Sequence, residues 1–124
     1  MIFGHKKHNP GFLALVDDAK SRIRQITIED LKRMLAAGEQ FLLMDIREES
    51  EWAAGHAAGA VYWGKGIIER EIETAVPDKS RKIVLYCGGG YRSALSADAL
   101  QKMGYTNVIS LDGGWRAYHE SGLP

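Results

Sequence analysis

Cys87 is the one cysteine of the chain, and it opens the run Cys87-Gly88-Gly89-Gly90-Tyr91-Arg92-Ser93. A thiol becomes a nucleophile as its anion, so what matters is whether its surroundings favour negative charge. Three consecutive glycines let the backbone turn tightly and clear side chains from the main-chain N–H groups. Such amides, converging with the positive end of a following helix, form an anion-binding nest, and Arg92 adds a cation at its edge. The chemistry expected is nucleophilic attack by Cys87, with Gly88, Gly89, Gly90, Tyr91 and Ser93 surrounding the substrate anion. A lone cysteine is more commonly a small buried apolar residue at a strand end. Here the glycine run and the closing arginine favour the nucleophile, since a purely structural turn needs neither.

The neighbouring segments must position that loop. Lys82-Ile83-Val84-Leu85-Tyr86 is apolar and rich in β-branched residues, the pattern of a strand buried on both faces. Beyond the loop, Leu95, Ala99, Leu100 and Met103 recur at helical spacing, with Ser93 expected as the N-cap and Gly104 at the C-terminal end. The cysteine is thereby placed between a strand end and a helix start.

The spacing Cys87-x-x-x-x-Arg92 at such a turn resembles the active loop of rhodanese-type sulfurtransferases. Asp45-Ile46-Arg47 is similar to that family's Asp-x-Arg signature, and Gly55-His56-Ala57-Ala58-Gly59-Ala60 to its Gly-His-x-x-Gly-Ala signature. Leu111-Asp112-Gly113-Gly114-Trp115 resembles its closing Gly-Gly segment. The likeness runs from about Gln25 to Pro124, with Tyr118 where the family usually has Trp. It implies an α/β domain at 25–124 with a five-stranded, mostly parallel sheet between helices, and Cys87 on a central strand.

The resemblance further implies transfer of a sulfane sulfur from a donor such as thiosulfate, through a Cys87 persulfide, to cyanide or a thiol, with Arg92 ordering the loop and no metal or organic cofactor. A protein sulfur donor or acceptor fits the same chemistry. Cysteine phosphatases resemble the loop too, but place five residues between Cys and Arg, against four here; phosphatase or arsenate-reductase chemistry is therefore the weaker alternative. A sulfur carrier or interaction module without turnover is the other. Asp45 and Arg47 are expected to tie loops together, and His56 to hold its turn.

Lys65, just after the strand expected at Ala60-Val61-Tyr62-Trp63, is a candidate substrate cation. Strand ends of a parallel sheet share one rim, although a solvated lysine is nearly as good a reading. Thr27 with Asp30 signals the start of a helix ending near Gly38, Phe41 to Met44 a strand, and Glu48 to Ala54 a short helix offering Trp52 to the core. Residues 1–24 lie outside the likeness. Phe12, Leu13, Val16, Ala19 and Ile23 repeat at helical intervals, an extra amphipathic helix laid on the domain. His5-Lys6-Lys7-His8 reads as a solvated terminus.

Composition closes other classes. One domain fits in 124 residues, and 16 basic against 16 acidic side chains leave no global field for nucleic acid or an anionic membrane. A single cysteine rules out an intrachain disulfide or a cysteine-built metal site. A reduced working thiol points to the cytoplasm.

Overall fold

The computed structural model describes residues 8–124. Of the tract His5-Lys6-Lys7-His8, the first three residues lie outside the described residues, and His8 is half-buried against Tyr91, not a fully solvated terminus. Among those described, six helices alternate with five strands: α1 (Pro10–Lys20), β1 (Arg24–Ile26), α2 (Ile28–Ala36), β2 (Leu42–Asp45), α3 (Glu49–Ala54), β3 (Val61–Tyr62), α4 (Lys65–Ala75), β4 (Ile83–Tyr86), α5 (Tyr91–Lys102), β5 (Val108–Leu111) and α6 (Gly114–Glu120). The strands form one sheet in the order β1-β5-β4-β2-β3, with every pairing parallel.

Strand alternation divides the core. Ile83, Leu85 and Cys87 face α4 and α5, where they join Met44, Ile68, Ile72 and Leu100. Val84 and Tyr86 point the other way, into a cluster with Leu31 of α2 and Tyr118 of α6. All four residues of β4 are buried, as a strand covered on both faces requires. β4 therefore sits between two packed layers, and its carboxyl end is a fixed point from which the loop departs.

The local signals explain the elements. Thr27 caps α2 by accepting from the Asp30 N–H, while the Asp30 carboxylate accepts from the Thr27 N–H, a reciprocal capping box. α1 packs along α5, burying Val16 and Ala19.

Two expectations are corrected. α5 starts at Tyr91 behind Gly90, so Ser93 lies within the first turn and is not the N-cap. The helix begins earlier because Gly90 takes a φ of 98°, a turn that a side chain resists and glycine does not. α3 buries none of its residues, and Trp52 stacks on the ring of His56 at 3.4 Å between centroids instead of entering the core. The Trp52 ring also meets Tyr62 of the edge strand β3 at 5.4 Å, so it packs on its own turn and on the sheet margin.

Candidate active site

Cys87 follows the last residue of β4, and its side chain is buried, at 1% exposure. The sulfur accepts hydrogen bonds from the Gly90 N–H at 3.1 Å and the Ser93 N–H at 3.4 Å, and the Ser93 hydroxyl lies 3.5 Å away. The amide donors are thus at the far end of the loop and in the first turn of α5, where the helix dipole adds its positive end. Donors of this kind are suited to a sulfur that carries negative charge during the reaction.

A second helix sets the loop from behind. The Trp115 N–H at the start of α6 donates to the Cys87 carbonyl at 2.7 Å, and the Arg116 N–H to the Gly88 carbonyl at 3.2 Å. In a trans peptide the N–H points opposite the C=O. Anchoring these two carbonyls on α6 therefore turns the N–H groups of Gly88 and Gly89 away from it. Gly114 permits this approach: a Cβ there would collide with the Cys87 carbonyl. The two Gly-Gly segments are thus two halves of one contact.

Arg92 folds back over the loop, its Nη2 3.2 Å from where a Cβ on Gly88 would lie. Its guanidinium donates to both carboxylate oxygens of Glu51, at 3.2 and 3.4 Å. Burial works against the Arg92 charge, but the Glu51 hydrogen bond and the nearby Cys87 outweigh it and raise the pKa above its ordinary value. In return Arg92, with the Glu48 N–H, lowers the pKa of Glu51 despite partial burial, which alone would raise it. Glu51 was not singled out by its pattern; an acid early in a short helix reads as a dipole partner, and nothing in the sequence points to a residue 41 positions away.

Lys65 and Arg92 line one cavity of about 410 Å³ together with Arg47, Glu48, Tyr62 and Ile67. The buried Cys87 side chain is not part of that lining. Lys65 thus shares a concavity with the loop's arginine.

The lateral support is a buried polar chain. Arg47 donates to Asp45 at 2.7 Å and to the Gly55 carbonyl at 2.6 Å. Tyr86 donates to Asp45 at 2.6 Å and accepts from the Ala57 N–H at 3.1 Å. His56 instead bonds the Trp52 carbonyl through Nδ1 at 2.9 Å, within its own turn. Among the described residues, no group of three or more His, Cys, Asp and Glu is placed to hold a metal ion.

Ser110 is a further residue at the site. Its hydroxyl is fully buried, 2.8 Å from that of Ser93. The available signal was a hydroxyl within the otherwise apolar Val108-Ile109-Ser110-Leu111.

This combination of sheet order and cysteine loop has relatives. The Rhodanese-like domain profile matches residues 27–121. The chain belongs to the rhodanese-like family. A sulfurtransferase from Allochromatium vinosum is 35% identical over 102 residues, which cover 82% of this chain and 94% of that protein. A probable adenylyltransferase/sulfurtransferase, MoeZ, from Mycobacterium tuberculosis is 32% identical over 89% of this chain, and there the chain spans only 29% of the relative's length. Among solved structures, a protein of unknown function from Rhodopseudomonas palustris, described as a possible tyrosine phosphatase, superposes with a TM-score of 0.84 at 30% identity over 97% of both chains. The rhodanese-like profile begins after α1, whereas that last similarity covers nearly the whole chain.

Proposed function

We propose that this rhodanese-like protein is a sulfurtransferase that carries a sulfane sulfur on Cys87. The observation carrying the reading is the pair of N–H donors, Gly90 and Ser93, on a sulfur held at the end of a central strand. The Cys87 thiolate attacks the outer sulfur of a donor such as thiosulfate. A new S–S bond forms as the donor's own S–S bond breaks, and sulfite departs with the bonding pair. The Cys87 persulfide carries the negative charge within reach of the loop amides, with Arg92 ordering the loop and Lys65 adding positive potential on the approach. An acceptor thiolate or cyanide then attacks the terminal sulfur, takes it as a persulfide or thiocyanate, and returns the Cys87 thiolate. Charge balances in both halves, and neither needs a redox cofactor. A protein acceptor is included in the proposal, given the sulfurtransferase segment of the much longer MoeZ.

The test is the intact mass of reduced protein after brief exposure to thiosulfate, beside Cys87→Ser. Gain of one sulfur atom, removed by cyanide and absent from the variant, is the expected result. No gain with thiosulfate, mercaptopyruvate or a polysulfide overturns sulfur transfer by this chain. A second reading, phosphate-ester hydrolysis, is favoured by the description of the R. palustris neighbour. The four-residue spacing between Cys87 and Arg92 argues against it, and release of phenolate from an aryl phosphate decides it.

A further inference from the structure

Tyr91 ends the glycine run, and its ring lies across the loop: a Cβ on Gly89 would sit 3.5 Å from ring atoms Cδ2 and Cε2. The same ring also meets the N-terminal extension. The imidazole of His8 stands 4.4 Å away between centroids, Phe12 stands at 6.2 Å, and Lys20 Nζ lies 5.1 Å from the ring centre. These three residues precede the stretch matched by the rhodanese-like profile.

The extension is independently moored to α5. Val16 and Ala19 are buried in the contact, Arg22 pairs with Asp98 at 2.8 Å, and the Gln101 side chain donates to the Arg22 carbonyl at 3.0 Å. All of these lie one or more turns from Phe12. The ring contacts are therefore not needed to hold α1 in place.

Resting on the sulfurtransferase reading, we infer that the N-terminal extension is a working part of the active site: His8, Phe12 and Lys20 press the Tyr91 ring onto Gly89 and so brace the loop with its amides turned to the sulfur. The physical reason is the loop's composition. Three glycines have the largest backbone freedom to lose, and the donors on the sulfur are useful only while the backbone holds one conformation. An aromatic ring held by other rings and a cation restricts that freedom without placing a side chain in the nest. Phe12 is accordingly a positioning residue, acting through Tyr91.

The experiment compares wild type, Phe12→Ala, Tyr91→Ala, the double variant and Phe12→Tyr. Two quantities are read: hydrogen exchange of the peptide spanning residues 87–93, and the single-turnover rate of persulfide formation from saturating thiosulfate. Phe12→Ala is expected to speed exchange in that peptide roughly five- to tenfold with β4 and β5 unaltered, and to slow persulfide formation by a similar factor. Phe12→Tyr keeps a ring at that position and restores both. The double variant is expected to be no slower than Tyr91→Ala alone, because the two changes remove one interaction. Unchanged loop exchange in Phe12→Ala, or strictly additive rate losses, overturns the brace. If even the wild type forms no persulfide, the exchange measurement still decides the brace, and only the sulfur-transfer reading falls.

Discussion

The Tyr86 hydroxyl donates a 2.6 Å hydrogen bond to Asp45 Oδ2, and neither residue has any exposure. The tyrosine precedes the cysteine on β4 and the aspartate ends β2, so the bond joins the carboxyl ends of adjacent strands beneath the loop. Burial, reinforced by the Asp45 charge, pushes the Tyr86 phenol well above its ordinary pKa and keeps it a donor. Tyr86→Phe removes the donor to a buried carboxylate and also the acceptor for the Ala57 N–H. A hydrogen bond to a charged group contributes about 1.5–3 kcal/mol, and an orphaned buried N–H adds to the cost. The variant is expected to unfold in urea with about 2–3 kcal/mol less stability; a loss below about 0.5 kcal/mol would show the bond to be dispensable.

Two glycines with positive φ separate strain from geometry. Gly38 has a φ of 68° with nothing near a hypothetical Cβ, so Gly38→Ala carries backbone strain alone, about 1–2 kcal/mol. Sulfur transfer per folded molecule is expected to be unchanged. Gly114 combines a φ of 50° with the close approach of the Cys87 carbonyl. Gly114→Ala must push the loop off α6, breaking the two hydrogen bonds that orient it. Transfer is expected to fall at least a hundredfold, measured on protein whose far-ultraviolet dichroism still shows the native fold. Equal activity in the two variants would remove α6 from the account of the loop.

How far these relationships were legible differed with their range. The parallel α/β layers follow from β-branched runs such as Ile83-Val84-Leu85 alternating with helical periodicity. The placement of Cys87 between strand and helix follows from the same local signals. Contacts between distant segments left weaker traces: Glu51 beside Arg92 depends on where α3 falls beside the loop, and Phe12 against Tyr91 on how α1 packs along α5, which no residue in either segment encodes alone. Trp52 shows the opposite failure. Its size suggests the core, but the ring packs at the sheet margin, against His56 and Tyr62 of the edge strand.

The Arg22–Asp98 pair gives a pH signature for the docking of α1. The hydrogen bond from Arg22 lowers the Asp98 pKa despite burial that opposes it. A carboxylate depressed in the folded state contributes stability above its unfolded value of about 3.9, and that contribution disappears as the pH falls through the lower folded value. Arg22 is 42% exposed, so solvent screening keeps the effect small. Asp98→Asn is expected to be slightly less stable than wild type at pH 7, with the two stability curves converging on acidification below about pH 4. A gap that persists at lower pH would assign the loss to packing instead of charge.

Ser110 tests the polarity of the hydroxyl chain behind the sulfur. If the Ser93 hydroxyl donates to the Cys87 anion across their 3.5 Å separation, its oxygen has a free lone pair facing Ser110 at 2.8 Å, and Ser110 must be the donor between them. The reverse polarity would leave Ser93 accepting nothing from Ser110 and unable to donate to the sulfur. Ser110→Ala deletes the donor and leaves Ser93 free to turn towards other acceptors. One neutral hydrogen bond is worth about 1 kcal/mol, which corresponds to roughly a fivefold slower formation of the Cys87 persulfide. The effect should vanish in a Ser93→Ala background, because Ser110 reaches the sulfur only through that hydroxyl. A fivefold loss that survives in the Ser93→Ala background would instead place Ser110 in the packing of β5, and no loss in either background would remove the Ser110 hydroxyl from the stabilisation of the anion.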